Sequence, residues 1–166
     1  DTGYSDYDER AEFSMTQRIK DEIQSISVHA SNRNLKIHFN SPDIRLFGNE
    51  RLLADVVRNL LSNAVKYSKV DGGNIYVSLK EEGDTVRLVI EDEGLGISKE
   101  DQNRVFERFY VVDKARNKKQ GSGTGLGLSL VKHTVQSHGG QVFLDSKLGH
   151  GSKFTIILPK YGLREE

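Results

Sequence analysis

Apolar positions along the chain switch between two periods, and the switches mark its elements. Met15, Ile19, Ile23 and Ile26 recur at helical spacing and predict a helix from residue 15 to about residue 30, broken by Ser31-Asn32-Arg33-Asn34. Residues 35–39 and 44–47 alternate and predict two short strands, with Ser41-Pro42-Asp43 as the turn between them. Asn49 stands where an N-cap is needed for a long helix to about residue 67, whose Leu53, Val57, Leu60, Leu61 and Ala64 share one face. Residues 75–79 and 86–90 alternate on either side of Glu82-Gly83-Asp84, a hairpin turn. Ser98 and Asp101 cap a short helix expected to run through Val105 and Phe106. After a glycine-broken loop over 111–125 comes a helix over about 126–138, stopped by Gly139-Gly140, and then strands at 141–144 and 153–158. Residues 1–12 are polar without a period and predict a frayed leading segment with no function of its own. This order predicts an α/β (α+β) two-layer sandwich, a mixed sheet of about five strands covered on one face by about three helices.

Composition narrows the function. The chain has 166 residues, 24 Lys plus Arg balancing 24 Asp plus Glu, and 36% hydrophobic residues, which suits one globular domain. Zero net charge removes the bulk electrostatic footprint that nucleic acid or membrane binding needs, so any polyanion must be met by local charge. The absence of Cys excludes a disulfide framework, a thiolate metal site and a thiol nucleophile. No apolar run approaches the roughly 20 residues of a membrane span. A chain that opens on Asp1 with no signal-like segment is expected to be a piece of a longer or processed protein.

Four stretches carry chemistry. Asn59, Asn63, Lys66 and Tyr67 are spaced 4, 3 and 1 apart, which puts them within about 100° on one side of the long helix. That side is either a solvated face or a site where an amide oxygen ligates a hard cation such as Mg2+ and the Lys meets a phosphate. Asp92-Glu93-Gly94-Leu95-Gly96-Ile97 follows a strand and is either an acidic turn or a carboxylate placed to accept from an exocyclic amine, with glycines letting a flat ring approach the backbone. The run 121–127, with Gly121, Gly123, Gly125 and Gly127, opens a helix as either a flexible loop or an anion site. It matches neither the Walker pattern nor the dinucleotide fingerprint. Residues 113–120 hold four cations and one anion, a solvated surface loop or a triphosphate contact. His29, His38, His133, His138 and His150 form no metal-binding spacing and are read as structural or surface residues, and no nucleophile elbow is present.

Taken in order, NLLSNAVKYS (59–68), EDEGLGI (91–97), FERFY (106–110) and GSGTGLGLSLVK (121–132) resemble the four nucleotide-binding boxes of bacterial sensor histidine kinases, over about residues 13 to 159. The resemblance implies the Bergerat sandwich with a flexible ATP lid at about 106–123, within an ATP-binding catalytic domain spanning 13–160 between the leading segment and a tail at 161–166. It implies ATP and Mg2+ as cofactors, with Asn63 as the Mg2+ ligand, Asn59 and Lys66 near the phosphates and Tyr67 beside the base. Asp92 would bind the adenine amino group, with Gly94, Gly96 and Ile97 shaping that pocket. Tyr110, Lys114, Arg116, Gly123, Thr124, Gly125, Leu126 and Gly127 would belong to the lid and the phosphate cradle.

Two departures sharpen the expectation. ATP-hydrolysing relatives generally carry a Glu at the position of Asn59, and an amide cannot act as a base on water, so the site is set for transfer to a protein histidine. The family often has Arg where this chain has Val111, which leaves Arg116 or Lys114 as the cation for the γ-phosphate. The phosphoacceptor His is expected on a separate dimerisation domain of the same parent protein, with a response regulator as an indirect partner. The fragment is expected to be a monomer in the cytoplasm, to contact no membrane or nucleic acid, and not to phosphorylate itself. The alternatives are a non-catalytic ATP-sensing module and, less favoured because of Asn59, an ATP-hydrolysing clamp or anti-sigma-type kinase.

Overall fold

A computed structural model describes residues 9–112 and 127–162. Its elements are β1 (Ala11–Ser14), α1 (Met15–Asn32), β2 (Leu35–Phe39), β3 (Arg45–Gly48), α2 (Glu50–Lys66), β4 (Gly73–Glu82), β5 (Thr85–Asp92), α3 (Lys99–Gln102), α4 (Gly127–Ser137), β6 (Gln141–Lys147) and β7 (Gly151–Pro159). Five strands form one mixed sheet in the order β2-β4-β5-β7-β6, with β2 parallel to β4 and the other pairings antiparallel. Strand alternation decides its faces. Ile75, Val77, Leu79, Val86, Leu88, Ile90, Phe154, Ile156 and Leu158 are buried, whereas Tyr76 and Lys80 are exposed on the other side. α2 packs against α1 and α4, and the face bearing Leu53, Val57, Leu60, Leu61 and Ala64 is in the core. At about 1.5–3 kcal/mol for each buried Leu or Val, that face fixes the rotation of α2 and hence the direction of its polar side.

Local chemistry sets the ends of α2. Asn49 caps it as expected, its side chain accepting from the Leu52 amide at 3.1 Å. The Asn49 N–H donates to His138 Nε2 at 3.0 Å, so His138 carries its proton on Nδ1, which donates to Thr134 O at 2.8 Å. His138 is therefore a structural residue. Burial lowers its pKa, and the neutral ring ties the end of α4 to the start of α2.

Two expectations are corrected, and one point that the sequence leaves open is settled. The strands at 35–39 and 44–47 go to different sheets: β2 joins the main sheet, while β3 forms a separate two-stranded sheet with β1. β1 starts inside the leading segment expected to be frayed, with Ala11 and Glu12 paired to Gly48 and Phe47, and of its four residues only Phe13, just past that segment, is buried. α3 ends at Gln102. The chain continues as successive turns closed by i to i−3 bonds, Arg104 N–H on Asp101 O, Glu107 N–H on Arg104 O and Tyr110 N–H on Glu107 O, and Phe109 takes a φ of +66°.

Candidate functional site

The polar side of α2 opens onto a cavity of about 240 Å³ at the end of β5. Asn59, Asn63, Lys66 and Tyr67 line it from α2, and Asp92, Gly96, Ile97, Tyr110 and Gly127 from the elements around it. The reading of the α2 polar side as a plain solvated face thus gives way to a concave surface shared with the Asp92 loop. Asn59 donates through Nδ2 to Asp55 O at 2.9 Å, which turns its Oδ1 toward the start of α4: a Cβ on Gly127 would lie 3.0 Å from it. The Asn63 amide has no hydrogen-bond partner among the described residues, while its backbone carbonyl accepts from the Tyr67 N–H at 3.0 Å. Lys66 is half-buried, which holds its ammonium below the ordinary lysine value, and its Nζ lies 5.7 Å from the centroid of the Tyr67 ring.

Asp92 is the last residue of β5, and its Oδ1 accepts from Gly94 N–H at 2.9 Å and Ser152 N–H at 3.3 Å. Burial pushes its carboxyl up to about 6, against the pull of those two donors and with a further push from Glu91. Gly94 stands behind Asp92 rather than on the cavity wall, where a Cβ would come within 2.5 Å of Tyr67 O. Gly96 has a φ of +72° and would drive a Cβ to 2.1 Å from Lys147 O, so both positions demand glycine. The Tyr110 hydroxyl donates to Asp101, and the Arg104 guanidinium lies 4.6 Å from the centroid of the Tyr110 ring.

Lys114, Arg116, Gly123, Thr124, Gly125 and Leu126, with most of the expected lid, lie outside the described residues. The wall also contains Val111 and Val112 from the start of the expected lid, and Ser62, Val105, Leu128, Ser152 and Phe154, which the sequence pattern does not mark as site residues. Most are apolar and look like any core residue in a one-dimensional pattern. No helix among the described residues is long and apolar enough to cross a membrane.

The family model described as "Histidine kinase-, DNA gyrase B-, and HSP90-like ATPase" matches residues 48–162, which include every wall residue named above. The sensor-like histidine kinase SenX3 of Mycolicibacterium smegmatis is 41% identical over 144 residues, 86% of this chain and 37% of that protein. The sensor histidine kinase WalK of Bacillus subtilis is 47% identical over 109 residues, 64% of this chain and 18% of that protein. The chain therefore spans well under half the length of these relatives. Among solved structures, the mycobacterial sensor histidine kinase MprB superposes with a TM-score of 0.78 at 28% identity, over 93% of this chain and 99% of that one. With a matching fold and this agreement in sequence, the chain belongs to the histidine kinase-, DNA gyrase B- and HSP90-like ATPase family.

Proposed function

We propose that this domain binds Mg-ATP and supplies the γ-phosphoryl group to a histidine on a separate dimerisation domain of a cytoplasmic kinase region in two-component signalling. The observation that carries the reading is the meeting of Asn59, Asn63 and Lys66 with the Asp92 carboxylate in one cavity. The two groups suit the two ends of one ligand. A carboxylate is an acceptor for the adenine amino group, and the amides, the ammonium and the start of α4 suit phosphates. Mg2+ fits Asn63, whose unengaged amide oxygen is a hard ligand. Because the described residues hold no cluster of three His, Cys, Asp or Glu able to bind a metal, the remaining oxygens would come from phosphates and water. Bound there, the ion would neutralise charge on the phosphoryl group being transferred. The acceptor imidazole forms the P–N bond as the P–O bond to ADP breaks, and the residues of this chain hold the phosphates in line without taking a proton. Asn59 has no proton-accepting group and its Nδ2 is tied to Asp55 O, which leaves water unactivated.

The non-catalytic sensing alternative draws on one observation, that Val111 and Val112 bring no charge to the wall. Adding the parent kinase's isolated histidine-bearing domain and labelled ATP separates the two, since only transfer yields an acid-labile, base-stable phosphoprotein. Alone, the domain is expected to bind Mg-ATP as a monomer with little turnover and no retained label. Label accumulating on His29 or any other histidine of this chain refutes that division of labour. In the transfer assay Arg116→Ala should slow the reaction roughly tenfold and more than Lys118→Ala or Lys119→Ala, because a planar fork of donors matches a phosphoryl group better than a point charge. Equal effects of all three would reduce the basic run to general attraction. A response regulator would then receive the phosphoryl group from the histidine domain, making it an indirect partner.

A further inference from the structure

Behind the wall, one hydroxyl holds two parts of the base pocket. Ser146 of β6 faces Ser152 of β7 in the strand pairing. Its Oγ accepts from Ile97 N–H at 2.8 Å, donates to Gly151 O at 2.9 Å and lies 2.8 Å from Ser152 Oγ. Ile97 and Ser152 line the cavity, and Ser146 does not. Gln102 fixes the same loop from the other side of Ile97, its Nε2 donating to Ile97 O at 2.7 Å and to Ser146 O at 2.8 Å.

The valences of this cluster close in one way. A hydroxyl offers one proton and two lone pairs. Gly151 O can only accept, so it takes the Ser146 proton. Ile97 N–H fills one lone pair of Ser146, and Ser152 must donate its own proton to the other. Ser152, whose amide lies 3.3 Å from Asp92 Oδ1, is left with lone pairs and no proton for the cavity. An ionised Asp92 is likewise acceptor-only. We infer that Ser146 is a positioning residue for base selection: by saturating its hydroxyl with Ile97, Gly151 and Ser152, it turns Ser152 toward the cavity as a pure acceptor and favours a purine whose 6-substituent donates. The inference rests on Asp92 binding the adenine amine. At the 6-position an oxo purine sets an oxygen lone pair against the acceptors Asp92 and Ser152, which is how a polar site rejects a near-isostere.

The test compares adenosine with inosine, which differ at the 6-position, amino against oxo, and at the neighbouring N1, lone pair against N–H, by titration of the purified domain. Ser146→Ala frees the Ser152 proton to turn inward, and the adenosine-to-inosine affinity ratio is expected to fall roughly tenfold, the weight of about one hydrogen bond. Ser146→Thr keeps a hydroxyl and should keep the ratio. In a Ser152→Ala background, Ser146→Ala should leave the ratio where it was, because the residue it acts through is gone. A folded Ser146→Ala that loses affinity for both nucleosides with the ratio intact overturns the inference and reduces Ser146 to a structural residue. If Ser146→Ala does not fold, Ser146→Cys, with a weakly accepting sulfur, is held to the same two outcomes. An unmutated domain that does not prefer adenosine, or a preference that survives Asp92→Asn, counts instead against the nucleotide reading itself.

Discussion

Asn63→Ala is expected to weaken Mg-ATP binding roughly a hundredfold, the loss of about 2–3 kcal/mol that removing a partner from a charged group brings. Adenosine binding and the fold should barely change. The Asn63 side chain faces the cavity and has no hydrogen-bond partner among the described residues, so its removal orphans no buried group there. The residues that anchor α2 in the core, Leu53, Val57, Leu60, Leu61 and Ala64, lie on another face of the helix, roughly 60–160° around it from Asn63. Alanine is also the better helix former by some tenths of a kcal/mol, which biases the variant toward a stable α2. Titration with ATP in the presence of Mg2+ and of a chelator separates the two contributions. The parent should lose affinity on chelation and the variant should not. A folded variant that binds Mg-ATP as tightly as the parent would falsify the metal assignment.

The legible parts of this fold are those where a short-range rule has a long-range consequence. Asn49 and the apolar face of α2 could be read off the chain because a cap and a 3.6-residue period act within one helix. Once α2 is oriented, Asn59, Asn63, Lys66 and Tyr67 must share a surface, and that surface is the cavity. Pairing partners were not legible. The turn at Ser41-Pro42-Asp43 says that the chain changes direction, not that β3 will cross to β1 while β2 takes the parallel edge beside β4. β1 was missed because a two-stranded sheet asks for little burial, and only Phe13 among its residues is buried. Ser146 and Ser152 were missed for a different reason. A serine in a strand has no period of its own, and their roles arise from a register between β6 and β7 that no local pattern encodes. Val105, Leu128 and Phe154 wall the cavity with the same residue types that fill the core.

Asp92→Asn is expected to act in opposite directions on stability and on binding. The carboxyl of Asp92 sits at about 6 against an ordinary 3.8, chiefly because burial penalises its charged form. A raised value means that the folded domain holds this proton more tightly than the unfolded chain does. The resulting penalty is absent below about 3.8, grows as the pH rises, and is complete above about 6. At about 1.4 kcal/mol per unit its full size is of order 2–3 kcal/mol. Asparagine carries no charge, and its Oδ1 can still accept from Gly94 and Ser152, so the unliganded variant should melt higher than the parent at neutral pH. That advantage should shrink through the window between about 6 and 3.8 and vanish below it. Binding should move the other way. The amide presents a donor where the adenine amine also donates, so adenosine affinity should fall roughly ten- to a hundredfold and preference over guanosine should narrow. In the parent, adenosine affinity should drop as the pH falls below about 6, because protonation removes the negative charge from the acceptor; in the variant that profile should be flat. Thermal melts and adenosine titrations across the same pH range test both halves. Equal melting temperatures at neutral pH would show that Asp92 is adequately solvated, and unchanged base discrimination would make it a turn residue. The combination expected here, a more stable domain that binds worse, identifies a carboxylate held charged in a poor environment because the ligand requires it.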